Sequence, residues 1–233
     1  MTKFFGFDLE TTGVNPQQDR PVQISLVHAD DSGYSRVLIN TLCNPCMPID
    51  PEAAKIHGIS DEQIRNHPDY LIALFNMQIL IERMHTDEIL ITMNGKSFDL
   101  PMADACMGQD VLGHLPHFDV YQAACRYFPD LKVRKLGALY QHFFQEALSG
   151  AHDATVDVLA SIRIAKEMSK KTHLTIHEMV QDLHTPKPYS IMPFGKYAGT
   201  LVDDLPKSWA KFMVKQPNLS PDLKATVDYV LAV

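Results

Sequence analysis

The sequence predicts an α/β domain in which a mixed sheet is flanked by helices. Three observations support this class. Strand-like runs occupy most of the first 42 positions, and helical and strand-like patterns alternate after them. The runs 22–29 and 34–42 flank the turn sequence DDSG, which indicates a hairpin. The run EILITM, at 88–93, is short and apolar, as expected of a buried strand.

The elements follow from local signals along the chain. Asp50 and Pro51 are a preferred N-cap and first helical residue, and residues 69–84 carry apolar side chains at helical spacing. The predicted strands are 3–9, 22–29, 34–42, 88–93 and the start of 117–128. The predicted helices are 51–57, a short one opened by residues 60–62, 69–84, 97–107, the remainder of 117–128, 135–144, 151–168 and about 175–183.

The last 50 residues differ from the rest of the chain. The segment HTPKPYS, at 184–190, contains two prolines and is interpreted as a linker. The tail after it predicts a short strand and turn followed by two small helices. We therefore expect three parts: a main domain over 1–172, a helix and linker over 173–189, and a small C-terminal module over 190–233.

Length and composition are those of an ordinary globular protein. The 233 residues are 45% apolar and 21% charged, which suits one domain with a small appendage. No apolar run reaches the ~18 residues that a transmembrane helix requires. The N-terminus MTKFFGFDLE has no signal-peptide pattern. We expect a cytoplasmic protein without a membrane segment.

The four cysteines leave two interpretations open. Cys43 and Cys46 form a CxxC pair, but a zinc site would need a second ligand pair at suitable spacing. Cys106 and Cys125 lie far apart in the chain. Four reduced thiols, as in cytosolic proteins, are the favoured interpretation.

The charge distribution is unlike that of an electrostatic DNA clamp. The formal net charge is −7, made up of +2 from residue 185 onward and −9 before it. An acidic body of this kind is compatible with an enzyme that binds divalent cations, since such ions are often the largest local charges in a site.

Two carboxylates lie two positions apart at the end of the first strand. Asp8 and Glu10, in FFGFDLETTG, point to the same face because side chains alternate along a strand. Moving a carboxylate out of water is costly unless a positive charge meets it. Any exposed strand can carry Asp-x-Glu, so the pair alone is a weak signal.

Two further segments carry acidic residues. Asp99 enters a helix in NGKSFD, and HDATVD places His152 and Asp157 at the start of the long helix. Taken singly, they are ordinary helix-terminal residues. Together, the four carboxylates suit two Mg²⁺-like ions roughly 4 Å apart, which stabilise in-line displacement at phosphorus, and the histidine suits a general base.

FDLETTG, NGKSFD and HDATVD, in this order, resemble the three motifs of the DEDDh (DnaQ-like) 3′–5′ exonucleases. This superfamily includes the proofreading subunit of bacterial DNA polymerase, exonuclease I, exonuclease X and ribonuclease T. The resemblance covers about residues 1–170. It implies a ribonuclease H-like fold and hydrolysis of nucleic acid from the 3′ end to nucleoside 5′-monophosphates with two Mg²⁺ or Mn²⁺ ions.

The resemblance also implies residue roles. His152 matches the general base, and Asp153 stands where a sister subgroup has tyrosine, which favours the histidine type. The implied metal ligands are Asp8, Glu10, Asp99 and Asp157, and the implied contacts to the 3′-terminal nucleotide are Leu9, Thr11 and Thr12. Two departures are Met93, where many members have histidine, and Gln23, where many have glutamate.

The tail sequence PFGKYAG resembles a C-terminal segment of exonuclease X-like proteins, whereas DRPVQISLVHAD is similar to exonuclease I. The basic and aromatic residues of the tail fit either a nucleic-acid surface or a module that docks on the body. We expect a 3′–5′ exonuclease acting on DNA. The alternatives are an exoribonuclease and a catalytically silent nucleic-acid-binding module, and a homo-oligomer stays open.

Overall fold

The computed structural model describes residues 2–82, 88–110, 112–113, 115–217 and 219–233. One five-stranded sheet has the order β3-β2-β1-β4-β5. Its strands are β1 Lys3–Thr11, β2 Pro21–Asp30, β3 Ser35–Leu42, β4 Ile89–Thr92 and β5 His117–Asp119. The pairs β1/β2 and β2/β3 are antiparallel, whereas β1/β4 and β4/β5 are parallel. The predicted mixed sheet is confirmed.

Helices cover both faces of this sheet. In the described ranges they are α1 Pro51–His57, α2 Asp61–Ile64, α3 Tyr70–Ile81, α4 Asp99–Met107, α5 Val120–Tyr127, α6 Leu136–Phe144, α7 Ala154–Thr172, α8 Ile176–Leu183, α9 Lys207–Met213 and α10 Pro221–Ala232. None of these helices is both long and apolar enough to cross a bilayer.

The alternation of side chains along β1 assigns the two faces. Phe5, Phe7 and Leu9 pack into an apolar cluster with α3 and α4. Phe4 belongs to a second cluster on the opposite face, formed with α5, α6, α7 and α8. Because side chains at i and i+2 share a face, Asp8 and Glu10 lie on the α7 side of the sheet.

Gly6 allows α7 to pack closely on β1. A Cβ atom at this position would lie 2.3 Å from Val158 Cγ1 and 2.9 Å from Ile162 Cδ1, which is closer than van der Waals contact allows. The missing side chain therefore brings the helix close to the strand. Asp157, next to Val158 on α7, is thereby held near Asp8, which follows Gly6 on the same strand face.

Several predicted boundaries shift for local reasons. Helix α7 begins at residue 154 and not 151, because the Asp153 carboxylate caps it by accepting the N–H groups of Thr155 and Val156 at 3.0 and 3.2 Å. Helix α4 begins at residue 99 and not 97, since residues 94–98 form hydrogen-bonded turns. Strand β1 runs two residues further than predicted, to Thr11.

Other predictions can be compared directly. Helix α1 has the predicted bounds, and its N-cap Asp50 accepts the Glu52 N–H. The helix predicted over 69–84 ends at residue 81, and positions 83 and 84 lie outside the described residues. All four cysteines are free thiols. Cys46 Sγ donates to Asp69 Oδ2 at 3.3 Å, and no metal-ligand cluster within the described residues contains a cysteine.

The C-terminal segment has its own apolar cluster, whose members all lie between residues 189 and 231. The predicted strand and turn form one isolated bridge, between Ile191 and Leu201, around a 3₁₀ turn at Gly195–Tyr197. Two arginines join this segment to the body. Arg134 donates to the Pro193 carbonyl at 2.9 Å, and Arg126 pairs with Asp222 at 2.6 Å.

Candidate active site

The candidate site lies at the C-terminal end of β1, on the face of the sheet that α7 covers. Asp8 and Glu10 are both half-buried on β1, and Glu10 is the last residue before an irregularity in the pairing with β2. This end of β1 is also the carboxyl end of the parallel pair β1/β4. Residues that follow β4 therefore reach the same edge of the sheet.

Asp99 reaches this edge from the first position of α4. Its side chain is only 3% exposed, and its Oδ1 accepts the Leu9 N–H at 3.1 Å. The bond ties the start of α4 to the backbone between Asp8 and Glu10. Three predicted metal ligands therefore converge although 91 residues separate the first from the last.

The loop that delivers Asp99 is held by a residue that the sequence analysis missed. Asp119, the last residue of β5 and 2% exposed, accepts backbone N–H groups from two loop residues, Asn94 and Lys96, both at 3.2 Å. It also caps α5. An aspartate between a short strand and a helix was the available signal, but a cap does not by itself reveal a second loop bound to it.

His152 and Asp157 enter the site from the start of α7. His152 lies just before the helix in the left-handed region, with φ of 68°, and its N–H donates to Asp157 Oδ2 at 3.2 Å. Potential ligand atoms of Glu10, His152 and Asp157 all lie within 4.8 Å of one another. The exposed imidazole and the half-buried carboxylates thus share one cleft.

Gln23 fixes the start of α7 against the sheet. It lies opposite Glu10 in the β1/β2 register and is 6% exposed. Its Oε1 accepts the Ala154 N–H at 3.3 Å, and its Nε2 donates to Asp153 Oδ2 at 3.4 Å and to Asn40 Oδ1 at 2.9 Å. The sequence analysis noted Gln23 only as a departure from the family pattern, because its two partners on α7 are 130 residues away.

Burial raises the pKa of all four carboxyls of the cleft, and repulsion between them adds to the shift at Asp8 and Glu10. Burial, followed by repulsion from Asp99, Glu10 and Asp157, raises the pKa of Asp8 well above its ordinary value. Burial and repulsion from Asp157 and Asp99 raise the pKa of Glu10 to about 8. Burial raises the pKa of Asp99 to about 7, against the opposing bond from Leu9, and burial also raises the pKa of Asp157.

The donor set of this cleft fits divalent cations. Within the described residues, no lysine or arginine forms an ion pair with any of these four carboxylates. Crowded carboxylates without a basic partner hold protons unless a cation neutralises them. Oxygen donors suit hard ions such as Mg²⁺ and Mn²⁺. We name the set Asp8, Glu10, Asp99, His152 and Asp157 the acidic cleft.

The three residues predicted to contact substrate flank the acidic cleft, and their roles stay predictions. The Leu9 side chain packs into the apolar cluster beneath the sheet. The Thr11 hydroxyl donates to the Gly13 carbonyl at 2.7 Å, and the Thr12 hydroxyl donates to Asp19 Oδ1 at 2.8 Å. Both hydroxyls therefore already stabilise the loop after β1.

His57 is another residue near this edge that the sequence analysis did not single out. Its Nδ1 accepts the Ile59 N–H at 3.0 Å, so Nε2 carries the proton and donates to the Thr11 carbonyl at 3.2 Å. Burial lowers the pKa of His57, and repulsion from His152 lowers it further. The neutral imidazole thus joins the end of α1 to the end of β1.

Comparison with known proteins identifies a family and a fold. The exonuclease family model RNase_T matches residues 5–165. The DNA polymerase III subunit epsilon of Treponema pallidum is 29% identical over 130 residues, which cover 55% of this chain and 58% of that protein. An uncharacterized exonuclease of Escherichia phage 186 is 40% identical over 63 residues, covering 27% of this chain and 30% of that protein.

Solved structures of exonuclease I share the fold. The zinc-bound complex of the E. coli enzyme with single-stranded DNA gives a TM-score of 0.62 at 21% identity, over 77% of this chain and 42% of that one. The complex with a dA16 oligonucleotide gives 0.60 at 20% identity, over 77% and 43%. At this identity the likeness concerns the fold, a mixed sheet flanked by helices. The chain matches less than two thirds of each relative's length.

Proposed function

The chain belongs to the RNase_T family of exonucleases, and from this premise we propose that it is a metal-dependent 3′–5′ exonuclease that hydrolyses DNA to nucleoside 5′-monophosphates. The family expected from the three motifs is thereby confirmed. The observation that carries the proposed activity is the acidic cleft, in which four carboxylates and a histidine meet without a basic partner among the described residues.

The proposed roles follow from the donor set. Asp8, Glu10, Asp99 and Asp157 would hold two Mg²⁺ or Mn²⁺ ions. Bound ions of this kind neutralise the phosphodiester and stabilise the attacking and leaving oxygens of an in-line displacement. The raised pKa values of these carboxyls mean that the cleft accommodates its full negative charge only when cations are present.

His152 is proposed as the general base. Its exposed imidazole lies beside Glu10 and Asp157, so it can accept a proton from a water that attacks the terminal phosphate. The backbone bond from His152 to Asp157 and the Asp153 cap fix where the histidine leaves the helix. His152 would accept the water proton at a ring nitrogen as the water oxygen bonds to phosphorus and the bond from phosphorus to the 3′-oxygen of the shortened strand breaks. That oxygen takes a proton from solvent, and the imidazolium returns its proton to solvent.

DNA is proposed as the substrate because of the proteins that the chain resembles. One relative is a subunit of a DNA polymerase, and the exonuclease I structures contain single-stranded DNA or deoxyoligonucleotides. The residues described above do not include a contact that would read a 2′-hydroxyl, which is the group that separates RNA from DNA. Exoribonuclease activity is therefore the second candidate.

The test uses single-stranded DNA and RNA of equal sequence, each labelled at the 5′ end, with Mg²⁺, Mn²⁺ or chelator. We expect a ladder of shortened labelled DNA with either ion and intact DNA with chelator, together with nucleoside 5′-monophosphates on chromatography. Shortening of RNA alone would establish the second candidate. Binding of DNA without shortening in both ions would reject both enzymes in favour of a silent binding module.

A further inference from the structure

The C-terminal segment contains a cavity of about 470 Å³ that the proposed catalytic role does not use. This volume is within the range of small-ligand sites. We name it the aromatic pocket. Its lining includes Phe194, Lys196, Tyr197, Trp209, Phe212 and Leu223. Trp209 is the one tryptophan in the sequence, and Phe212 is 61% exposed, so its ring is accessible from solvent.

One aromatic ring of the pocket contacts a second ring and a cation. The rings of Tyr197 and Trp209 meet edge to face, with centroids 6.1 Å apart at 71°. Lys196 Nζ lies 5.5 Å from the Tyr197 ring centroid. A cation held at the edge of an aromatic cavity favours a ligand that is flat and apolar on one side and negatively charged on the other.

Several lysines lie beside the aromatic pocket. Lys207 and Lys211 lie on α9 beside the lining residues Ser208 and Phe212, and Lys215 follows the end of that helix. Within the described part of the chain, none of these lysines forms an ion pair, nor does Lys196. The segment also has four aspartates. Asp203 accepts the Tyr229 hydroxyl and Asp222 pairs with Arg126, whereas Asp204 and Asp228 are exposed.

We propose that the aromatic pocket binds single-stranded nucleic acid, with a base stacked against its exposed rings and the adjacent phosphates on the lysines. Both halves of this ligand match: stacking needs aromatic faces, and the backbone needs unpaired cations. The inference rests on the proposed function in one respect, because an enzyme that shortens a strand from one end gains from a second hold on it.

Binding can be measured apart from catalysis. The full chain is titrated into a fluorescein-labelled oligothymidylate in chelator, where no hydrolysis occurs, with polarisation and Trp209 emission as readouts. We expect Phe212→Ala to weaken binding about tenfold, within the range of one lost base stack. Phe75→Ala is the matched control, because Phe75 is 56% exposed on α3 and lies outside the pocket.

The lysines have a separate signature. Lys211→Ala should lower the slope of log affinity against log salt by about 0.7, the value for one phosphate contact on a single strand. Lys170→Ala, which removes a 75% exposed lysine on α7, should leave the slope unchanged. Thermal unfolding of each variant verifies that it is folded.

A minimal substrate separates this proposal from the proposed function. A chromogenic ester of thymidine 5′-monophosphate is too short to span two sites, so Phe212→Ala should leave its hydrolysis unchanged while slowing degradation of long strands. Equal oligonucleotide binding by the parent, Phe212→Ala and Phe75→Ala would overturn the proposal, even if the enzyme is active. Trp209 emission that responds to an acidic peptide but not to the oligonucleotide would also overturn it, in favour of a protein partner.

Discussion

The acidic cleft and the aromatic pocket offer nucleic acid two opposite surfaces. The cleft gathers carboxylates from β1, α4 and α7, and it repels phosphate until cations bind. The pocket is built from one short stretch near the C-terminus, and no ion pair is formed by Lys196 in its lining or by Lys211 beside it within the described residues. Under the two proposals, hydrolysis depends on the metal ions and strand binding depends on the salt concentration.

The two regions also differ in how they are stabilised. The pocket belongs to an apolar cluster formed by the C-terminal segment, so the local packing of that segment stabilises it. The cleft opposes folding, because buried carboxylates with raised pKa values destabilise the folded state at neutral pH. Its geometry is imposed by groups that carry no catalytic role, such as Gly6, Asp119 and Gln23.

The largest effect is expected for Asp8→Asn, which should change turnover and oligonucleotide binding differently. Loss of one proposed ligand charge should reduce turnover by more than the about 10²–10⁴-fold that a general base contributes. Oligonucleotide binding in chelator should stay equal or tighten, because one repelling carboxylate is gone. Single-turnover degradation and polarisation measure the two effects. Asp130→Asn, an exposed loop substitution, is the control, and turnover near the parent rate in Asp8→Asn would contradict the ligand role.

The carboxyls of the acidic cleft make the stability of the protein depend on pH, and Asp8→Asn tests this dependence. The folded pKa of Glu10 is about 8 and that of Asp99 about 7, both above their unfolded values, so the folded state binds more protons between about pH 4 and 8. Stability of the cation-free protein therefore falls as pH rises through this window. Mg²⁺ should raise the thermal midpoint more at pH 8 than at pH 6, and less in Asp8→Asn. A Mg²⁺ effect independent of pH would argue against the cleft as the binding site.

The sequence predicted the residues of the acidic cleft better than it predicted the residues that hold them in place. Asp8 and Glu10 were readable from the period of two along a strand, and His152 and Asp157 from their place at a helix start. The role of Gln23 was not readable, since it depends on the β1/β2 register and on a helix 130 residues later. Nor was Asp119, whose cap position concealed its hold on the loop before α4.

The predicted start of α7 was wrong for a related reason. The helix predicted from residue 151 begins at 154, because the Asp153 carboxylate caps it by accepting the first free N–H groups. His152, before the cap, is in the left-handed region. From this position before the helix, the His152 imidazole lies in the acidic cleft. The mixed sheet was predictable because the hydrophobic pattern, the turn residues and the order of elements all indicate it, whereas the site depends on exceptions to the pattern.

The next largest effect is expected for His152→Gln. Removal of the proposed general base should lower turnover by about 10²–10⁴-fold and flatten the acidic limb of the rate against pH. Oligonucleotide binding in chelator should not change, since the aromatic pocket is intact. His173→Gln is a matched control, because His173 is also exposed with a left-handed φ, of 58°, at the opposite end of α7. A parental pH profile in His152→Gln would exclude the base role.

The smallest effect on catalysis is expected for Gln23, which acts through α7 and touches no reacting group. Gln23→Ala removes the acceptor of the Ala154 N–H and the donor to Asp153, so the start of α7 loses two hydrogen bonds to β2. The bond between the Ser25 and Thr155 hydroxyls, at 2.9 Å, stays. Loss of such outer partners typically costs 10–100-fold in metal affinity or activity, and we expect a loss of about this size with a higher Mg²⁺ requirement.

Two variants separate positioning from general destabilisation at this site. Gln23→Glu keeps an oxygen for the Ala154 N–H and should keep most of the turnover that Gln23→Ala loses. Its added negative charge should lower the Mg²⁺ requirement at a pH where the glutamate is ionised. Asn40→Ala removes only the outer partner of Gln23 and should be nearly silent. If all three variants lowered the thermal midpoint and turnover in parallel, with an unchanged Mg²⁺ requirement, Gln23 would be a structural residue, and the cleft would depend on β2 only for its fold.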